Sequence, residues 1–301
     1  MAGEEPSLLA PGLYLVATPI GNLGDITLRA LEVLRAVDRI ACEDTRQTQK
    51  LLNRFQISKP TVSCHEHNER QRAAELIEAV RAGSRIALVS DAGMPAISDP
   101  GRLLVAEAVA AGVRVIPIPG ASAALTALVA SGLATEQYRF LGFLPERAGA
   151  RRTRLEELAT EARQLHSPQT FVFYEAPHRI LEALADLESA WGAETRIVIA
   201  RELTKVHEEF LRGTAAQVRI ELTQRDRIRG EIVLLVEAPP PADSPAQTAS
   251  AAEPGVAARI AQIQSETGVD EKEALKRLAR ERGQSKSDLY RELQRERARR
   301  R

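Results

Sequence analysis

The stretch that most constrains this fold is residues 85–132, RIALVSDAGMPAISDPGRLLVAEAVAAGVRVIPIPGASAALTALVASG. Residues 85–90 and 113–116 are short apolar runs that predict strands. Residues 103–111 and 121–130 carry apolar side chains at helical spacing and predict helices. Two strands joined by a helix make a parallel βαβ unit. Each strand is followed by a turn with glycine and small polar residues. Ligands bind beyond the carboxyl ends of parallel strands, so two such turns favour a ligand site over simple chain reversal.

The same alternation of apolar runs and helical spacing continues on both sides of this stretch. Upstream, strands are predicted at 13–18, 39–42 and 61–64, and helices at 26–37 and 70–82. Downstream, strands are predicted at 138–144, 170–174, 195–200 and 230–237, and helices at 179–189 and 214–223. The downstream half has longer spacers, which predicts a separate α/β domain with a mixed sheet. We therefore expect an α/β fold with one domain at 12–120 and a second at 121–238.

The C-terminal part of the chain differs in composition. Residues 239–255 are rich in Pro, Ala and Ser and predict a flexible or extended linker. Residues 256–301 predict a small helix-turn-helix-like module with 13 Lys/Arg and 8 Asp/Glu. The chain totals are 41 and 41, so this tail is about +5 and the rest about −5. That asymmetry favours a nucleic-acid partner for the tail, and the alternative is a helical appendage that packs in a dimer.

Several classes of protein are excluded by composition. No apolar stretch reaches the roughly 18–20 residues of a membrane span. The N-terminus is acidic and lacks the basic region of a signal peptide, so we expect a cytoplasmic protein. In a cytoplasmic protein we expect Cys42 and Cys64 to be buried free thiols. No spacing of Cys and His is typical of a metal site, and we expect no metal.

A charged cluster follows the strand predicted at 39–42. Glu43, Asp44 and Arg46 place two carboxylates and a guanidinium at a strand end. Asp44 could simply cap the next helix, with Arg46 paired to its neighbours. The alternative is a functional role, because charged groups with perturbed pKa values gather at sites. The sequence leaves both open.

Two further polar clusters are candidates for substrate contact. His65 and His67 lie two residues apart and would point the same way in an extended segment, as zinc ligands can. No third ligand is evident nearby, which favours substrate contact. The second cluster contains Arg147, Arg151, Arg152 and Arg154. It is either a solvated face or a phosphate-binding surface.

The chain lacks the G-x-G-x-x-G fingerprint, a Walker loop, a nucleophile elbow and a metal signature. Its polar residues lie instead at strand ends across both halves. That distribution is typical of an enzyme that positions a reactive cofactor. From the residues alone, the prediction stops at a ligand-binding α/β enzyme.

A resemblance carries the prediction further. The motifs that bear it are ATPIGNLGDITLRAL, CEDTR, HEHNE, SDAGMPAISDPG, PGASA, FLGFLP, FYEAPHR, ARELTK and GE. Residues 12–237 resemble the tetrapyrrole methylase fold of class III S-adenosylmethionine (SAM) enzymes. Within that fold the chain resembles the small-subunit ribosomal RNA methyltransferase I family, including its helical C-terminal module. The resemblance implies 2′-O-methylation of a cytidine in the decoding region of 16S rRNA, a homodimer, and SAM in a cleft between the two α/β domains.

The same resemblance implies roles for individual residues. Cofactor-binding residues are expected at Pro19, Gly21, Asn22, Asp91, Ala92, Gly93, Ser98, Asp99, Gly120, Ala121, Ser122, Tyr174, Leu203, Gly230 and Glu231. Because the 2′-hydroxyl is a poor acid, a base or cation nearby would help, and the candidates are Glu43, Asp44 and Lys205. Candidates for RNA contact are Arg46, His67, Arg147, Arg151 and Arg152.

Two other functions remain in view. A corrin or porphyrin precursor methylase would share residues 12–237, but such enzymes usually open with a G-x-G-P-G-D-P loop and lack a basic helical tail. A non-catalytic RNA-binding assembly factor would keep the fold without the cofactor. The intact glycine and acidic loops disfavour that second alternative.

Overall fold

The computed structural model describes residues 9–165, 167–238 and 256–281, together with 285, 287, 289–291, 293 and 294. These residues fall into two compact units, divided near residue 239. The linker predicted at 239–255 lies outside the described residues. No helix among those described is both long and apolar enough to cross a bilayer.

The first half of the larger unit is a parallel five-stranded sheet in the order β3-β2-β4-β1-β5. Its strands are β1 (Gly12–Val16), β2 (Arg39–Cys42), β3 (Thr61–Ser63), β4 (Arg85–Val89) and β5 (Val115–Ile118). Its helices are α1 (Leu28–Ala36), α2 (Thr45–Arg54), α3 (Glu69–Arg81) and α4 (Arg102–Ala110). A short 3₁₀ helix, Leu23–Asp25, precedes α1.

Alternation along the strands divides the side chains between two apolar layers. Tyr14 and Val16 pack with residues of α1 and α2, whereas Leu13 packs with residues of α3 and α4. Cys42 belongs to the first layer and Cys64 to the second, so the two thiols lie on opposite faces of the sheet. Both cysteines are buried and free, as the sequence predicted.

The second half of this unit is a mixed sheet in the order β6-β7-β10-β8-β9, in which only β6 and β7 pair in parallel. Its strands are β6 (Tyr138–Phe143), β7 (Thr170–Glu175), β8 (Arg196–Arg201), β9 (Glu209–Thr214) and β10 (Ile232–Glu237). Its helices are α5 (Ala123–Ser131), α6 (Ala148–Arg163), α7 (Ile180–Trp191) and α8 (Ala215–Thr223). α6, α7 and α8 cover one face, and α5 covers the other. The predicted mixed sheet is confirmed.

One strand differs from its prediction. The sequence places a strand at 113–116 and ends it at Pro117, whereas β5 runs from Val115 to Ile118 and includes that proline. β5 is an edge strand, and Pro117 pairs in register with Leu15 of β1. A proline is tolerated there because an edge strand has one side without a ladder partner.

The smaller unit contains α9 (Val256–Thr267) and α10 (Glu271–Glu281), and helical turns recur among the described residues 287–294. Its apolar core includes Ile260, Ile263, Leu275 and Leu278, and Leu289 and Leu293 complete it. The helices predicted within 256–301 are therefore present as a separate small core.

Candidate active site

Loops after β1, β4 and β5 meet at the carboxyl-terminal edge of the parallel sheet. Thr18 and Gly93 form an isolated bridge, with N···O distances of 2.9 and 3.0 Å in the two directions. A Cβ at Gly120 would lie 2.7 Å from the Cβ of Ala17, so the loop after β5 packs directly against the loop after β1. The predicted glycine turns therefore form one continuous surface.

The mixed sheet contributes a second wall to this surface, from the loop after β8. A Cβ at Gly21 would lie 2.6 Å from Cγ of Lys205 and 3.0 Å from Oγ1 of Thr204. Ile20 and Leu203 share one apolar cluster with α5. The two α/β halves are thus in contact through the loops after β1 and β8.

The loop after β8 is strained and holds Lys205 in place. Glu202 and Thr204 have φ values of 52° and 65°, in a region that non-glycine residues rarely adopt. The ammonium of Lys205 donates to Oε1 of Glu202 at 2.8 Å and to Oε2 of Glu231 at 2.9 Å. Burial lowers the pKa of Lys205, but these hydrogen bonds outweigh it and raise the pKa above its usual value. Lys205 is therefore a fixed cation at neutral pH.

Three carboxylates lie in the loops after β2 and β4. Burial, followed by the charge of Asp91, raises the pKa of Glu43. Asp91 is exposed as a residue, but partial desolvation of its carboxyl raises its pKa, against a hydrogen bond from the backbone of Asp44 that lowers it. Burial and the charges of Glu43 and Asp91 raise the pKa of Asp99 to about 6. Carboxylates with pKa values pushed toward neutrality are typical of proton-transfer sites.

Asp44, predicted as one of the candidate bases, also has a structural role. Its Oδ1 accepts from the backbone N–H of Arg46 at 2.8 Å, so it is the N-cap of α2. Both carboxylate oxygens also accept from the Arg46 guanidinium, at 3.2 and 3.0 Å. Those hydrogen bonds lower the pKa of Asp44, which makes it a poor base. The Arg46 side chain is 88% exposed and stays open to further contact.

An aromatic cluster lines the mixed-sheet side of the site. Tyr174 makes edge-on contacts with Phe140 and Phe143, at centroid distances of 4.9 and 5.6 Å. Burial raises the pKa of Tyr174, and the charge of Asp99 adds to that shift, which places Asp99 near this cluster. Ser98 lies close to β6, because a Cβ at Gly142 of that strand would lie 3.3 Å from the Ser98 hydroxyl. Tyr174 and Asp99 were both predicted as site residues, and the fold brings them together.

The HEHNE segment divides into a structural part and an open part. Oε1 of Glu69 accepts from the backbone N–H groups of Gly101, Leu103 and Leu104, at 2.8–3.1 Å, and so caps α4. His67 is exposed, and the Nδ1 atom of the half-buried His65 has no hydrogen-bond partner. Within the described residues, no group of three or more His, Cys, Asp or Glu side chains could hold a metal ion.

The remaining predicted cofactor residues lie in the same loops. Pro19 and Gly93 are buried, while Gly21, Asn22, Asp91 and Ala92 are exposed. The side chain of Asn22 accepts from the N–H of Gly24 at 3.0 Å. Gly120 and Ala121 precede α5, and Ser122 is its N-cap. Gly230 and Glu231 precede β10 beside Lys205.

The predicted arginine surface is only partly available, and for Arg151 the prediction is wrong. Arg151 is 2% exposed, and its guanidinium pairs with Asp186 at 2.8 Å and Glu182 at 3.1 Å. Arg152 pairs with the same Asp186 at 2.8 Å, although most of its side chain is exposed. Arg147 is exposed and has no ion-pair partner among the described residues. Burial of Arg151 depends on the packing of α6 against α7, for which the local sequence carries no signal.

The sequence prediction assigned Asp99 to the cofactor and did not include Thr204. Asp99 was expected to bind cofactor, and burial together with the charges of Glu43 and Asp91 raises its pKa to about 6. Thr204 carries a buried hydroxyl with no partner. A signal for Thr204 was present, because ARELTK directly follows a predicted strand.

Comparison with known proteins decides the family. A model of the family "Tetrapyrrole (Corrin/Porphyrin) Methylases" matches residues 12–219. A Synechocystis protein named ribosomal RNA small subunit methyltransferase I is 51% identical over 233 residues, covering 77% of this chain and 81% of its own. A Halalkalibacterium halodurans protein of the same name is 47% identical over 278 residues, covering 92% and 93%. This chain belongs to the ribosomal RNA small subunit methyltransferase I family of tetrapyrrole methylases. It is accordingly a methyltransferase.

Solved structures agree on the fold of this tetrapyrrole methylase. A diphthine synthase has a TM-score of 0.59 at 17% identity, covering 75% of this chain and 89% of its own. A cobalt precorrin-4 methyltransferase has a TM-score of 0.53 at 17% identity, covering 74% and 93%. At this identity the likeness concerns the fold alone.

Proposed function

We propose that this methyltransferase uses SAM to methylate the ribose 2′-oxygen of a cytidine in the decoding region of 16S rRNA. The observation that carries the proposal is the 47% identity over 92% of the chain to a ribosomal RNA small subunit methyltransferase I. A corrin or porphyrin precursor methylase remains the alternative within the fold. The separate C-terminal helical core favours the RNA substrate over that alternative.

The residues at the sheet edge fit SAM. Gly21 and Gly93 both have positive φ values, and the missing side chain at Gly21 lets Lys205 and Thr204 pack directly against the loop after β1. The buried hydroxyl of Thr204 lacks a hydrogen-bond partner and could supply one. The carboxylates of Glu43, Asp91 and Asp99 make the edge acidic, which suits a cationic donor. Thr204 thereby joins the predicted cofactor set.

The chain's own residues have three tasks in this reaction. When bound, SAM supplies a methyl group that its sulfonium charge has already activated, so orientation of the acceptor contributes much of the rate. Asp99 accepts the proton of the 2′-hydroxyl, because its pKa of about 6 leaves it ionised yet basic at pH 7. Partial burial of Asp99, and then the charge of Glu43, keep that pKa raised. Lys205, held by Glu202 and Glu231, stabilises negative charge that develops on the oxygen.

The test of the proposed function is mass mapping of ribose methylation. Small 30S subunits from cells lacking the protein are incubated with SAM and either the wild-type protein or Glu43→Gln, Asp99→Asn and Lys205→Gln variants. We expect one cytidine in the decoding region to gain 14 mass units as the methyl replaces a proton, and each variant to lose at least about 100-fold in rate. Absence of any new ribose methyl with the wild-type protein would refute the proposal.

A second measurement separates the competing functions. SAM binding by calorimetry distinguishes an enzyme from an assembly factor, which would show no heat and no thermal shift. Methylation of uroporphyrinogen-type tetrapyrroles instead of rRNA would favour the precursor methylase. The proposal also includes action in the cytoplasm and assembly as a homodimer. Light scattering of the purified chain tests the homodimer directly.

A further inference from the structure

Helix α2 presents a basic face beside the carboxylate edge. Arg46, Lys50 and Arg54 follow one another at four-residue spacing and are all exposed. At 3.6 residues per turn this spacing places them on one side of the helix, over about 12 Å of its axis. The opposite side of the helix faces the protein interior, because Thr48 and Leu52 are its buried residues. The basic residues are therefore fixed outward by the packing of α2.

The charge of α2 is unusual for the unit that contains it. Its ten residues include three cations and no carboxylate, whereas residues 1–255 together carry about −5. Among the helices of residues 9–238, α1, α3, α4, α6 and α8 mix both signs, α5 is uncharged, and α7 has only acidic residues. α2 is the helix there that would attract a polyanion.

The outer cations of α2 are available for a partner. Arg46 is offset by Asp44, its ion-pair partner at 3.0 Å. Lys50 donates only to the amide oxygen of Gln47, at 2.9 Å, and neither Lys50 nor Arg54 has an ion pair among the described residues. Arg35 adds a further guanidinium at the end of the helix, where it donates to the carbonyl of Phe55 at 3.4 Å.

A shallow groove lies along this face. It is lined by Thr45, Arg46, Gln49, Lys50, Asn53 and Thr61. These side chains offer cationic, amide and hydroxyl groups, which are the groups that contact phosphates and riboses. Thr45 follows Asp44 and Glu43 directly, so the groove leads away from the carboxylates at the end of β2. An acidic edge repels phosphates, and a basic groove next to it offsets that repulsion.

We propose that this groove along α2 binds the sugar–phosphate backbone of the RNA strand next to the target nucleotide, with Lys50 in the groove and Arg54 beside it on the same helix contacting phosphates. This proposal rests on the proposed rRNA substrate. It adds α2 to the RNA-contact candidates of the methylase unit, in which Arg151 is buried, Arg152 and Arg154 are paired, and Arg147 is exposed. Gln49 and Asn53, linked by a 2.8 Å hydrogen bond, would contact ribose hydroxyls beside the phosphates.

The test measures binding of the full-length protein to protein-free 16S rRNA over a range of salt concentrations. A Lys50→Gln/Arg54→Gln variant is compared with an Arg81→Gln/Arg114→Gln control, which removes the same charge at the opposite edge of the sheet. A Lys50→Arg/Arg54→Lys variant retains the charge. Each phosphate contact contributes about 0.7–0.9 to the slope of log K against log salt. We expect the first variant to reduce that slope by about 1.4–1.8, and the control and the charge-retaining variant to leave it unchanged.

SAM binding and thermal unfolding of the same variants show whether each is folded. A folded Lys50→Gln/Arg54→Gln variant with the wild-type salt slope would overturn the proposal. So would an equal loss of slope in the control, because the effect would then be general charge. Loss of affinity for the 30S subunit alone, with naked rRNA unaffected, would assign the groove to a ribosomal protein and also overturn it. Failure of the wild-type protein to bind or methylate rRNA would instead refute the proposed function.

Discussion

A Cβ at Gly230 would lie 2.4 Å from Cγ of Glu202, inside any permitted contact distance. The side chain of Glu202 passes directly over the glycine and accepts from the N–H of Glu231 at 3.0 Å and from Lys205 at 2.8 Å. Gly230 has a φ of 90°, so it also supplies a backbone conformation that L side chains rarely adopt. The position of the Lys205 ammonium therefore depends on the absence of a side chain at residue 230.

Substitution of Gly230 by alanine is expected to displace Glu202 and release Lys205. We predict a loss of about 1–3 kcal/mol in unfolding free energy and a larger proportional loss of methyl transfer. Gly192→Ala is the matched control, because Gly192 has a φ of 101° but nothing within 4 Å of its Cβ position. Urea unfolding and methylation rates check both. Equal losses of activity in the two variants would show that backbone strain alone accounts for the effect.

The buried Arg151 is expected to stabilise the packing of α6 on α7. We predict that Arg151→Met lowers the unfolding free energy by about 3–5 kcal/mol, because it leaves Asp186 buried with only one partner. Arg152→Gln, at a side chain 64% exposed, is expected to cost no more than about 1 kcal/mol. Chemical denaturation gives the comparison. If folded Arg151→Met lost RNA affinity more than Arg152→Gln, a binding role for Arg151 would be restored.

The reaction is expected to depend on pH through Asp99. The pKa of Asp99 is raised to about 6, so the ionised, proton-accepting form predominates only above that pH. We predict that kcat/KM rises from pH 5 to pH 7 and then levels, and that this rise is absent in Asp99→Asn. Single-turnover methylation at saturating SAM measures it. An unchanged pH profile in the Asn variant would remove Asp99 as the base.

Asp99 should also make the folded state sensitive to pH. Because its folded pKa lies above the unfolded value of 3.8, its favourable contribution is complete below pH 3.8 and lost as pH rises through about 6. Relative to the wild-type protein, Asp99→Asn should therefore gain thermal stability between pH 4 and pH 7. Melting curves across that range provide the measurement. Asp38→Asn is the comparison, because the pKa of Asp38 is lowered and its effect on stability should change with pH in the opposite direction. A stability difference that stays constant with pH would contradict the shift.

At the opposite edge of the sheet, Asp38 is expected to stabilise the fold in the reverse direction. Hydrogen bonds from the side chain and backbone of Arg85 lower its pKa to about 2. The contribution is present above the unfolded pKa of 3.8 and is lost as pH falls from 4 to 2. Since both side chains are partly exposed, we predict that Asp38→Asn costs about 1 kcal/mol at pH 6 and almost nothing near pH 2. Urea titrations of both proteins at pH 6 and near pH 2 measure the two differences in unfolding free energy.

Much of the fold was predictable because the period of apolar residues is a local property. β2, Arg39–Cys42, has the predicted bounds, and the other predicted strands and helices fall within a few residues of theirs. The bounds of β5 were predicted wrongly because a strand tolerates a proline such as Pro117 only when it lies at the sheet edge. Register and edge position are set by pairing between distant segments, which periodicity does not report.

The candidate site was predictable as a set of loops, and less so as a set of roles. Glycine turns after β1, β4 and β5 follow from strand ends that must share one edge. Whether a carboxylate there is a cap, an ion-pair partner or a base depends on its neighbours in space. Asp44 has Arg46 beside it, whereas Asp99 is half-buried near Glu43 and Asp91. These surroundings give the two carboxylates pKa shifts of opposite sign.

By itself, the sequence determined the α/β alternation, the glycine turns at the strand ends and the basic C-terminal helices, since each is encoded in residues close together along the chain. Only the tertiary structure decided that Arg151 is buried against α7 while Lys50 and Arg54 on α2 face outward. The physical reason is that the cost of an unpaired buried charge depends on which helix packs over it. That packing is fixed by contacts between residues far apart in the chain.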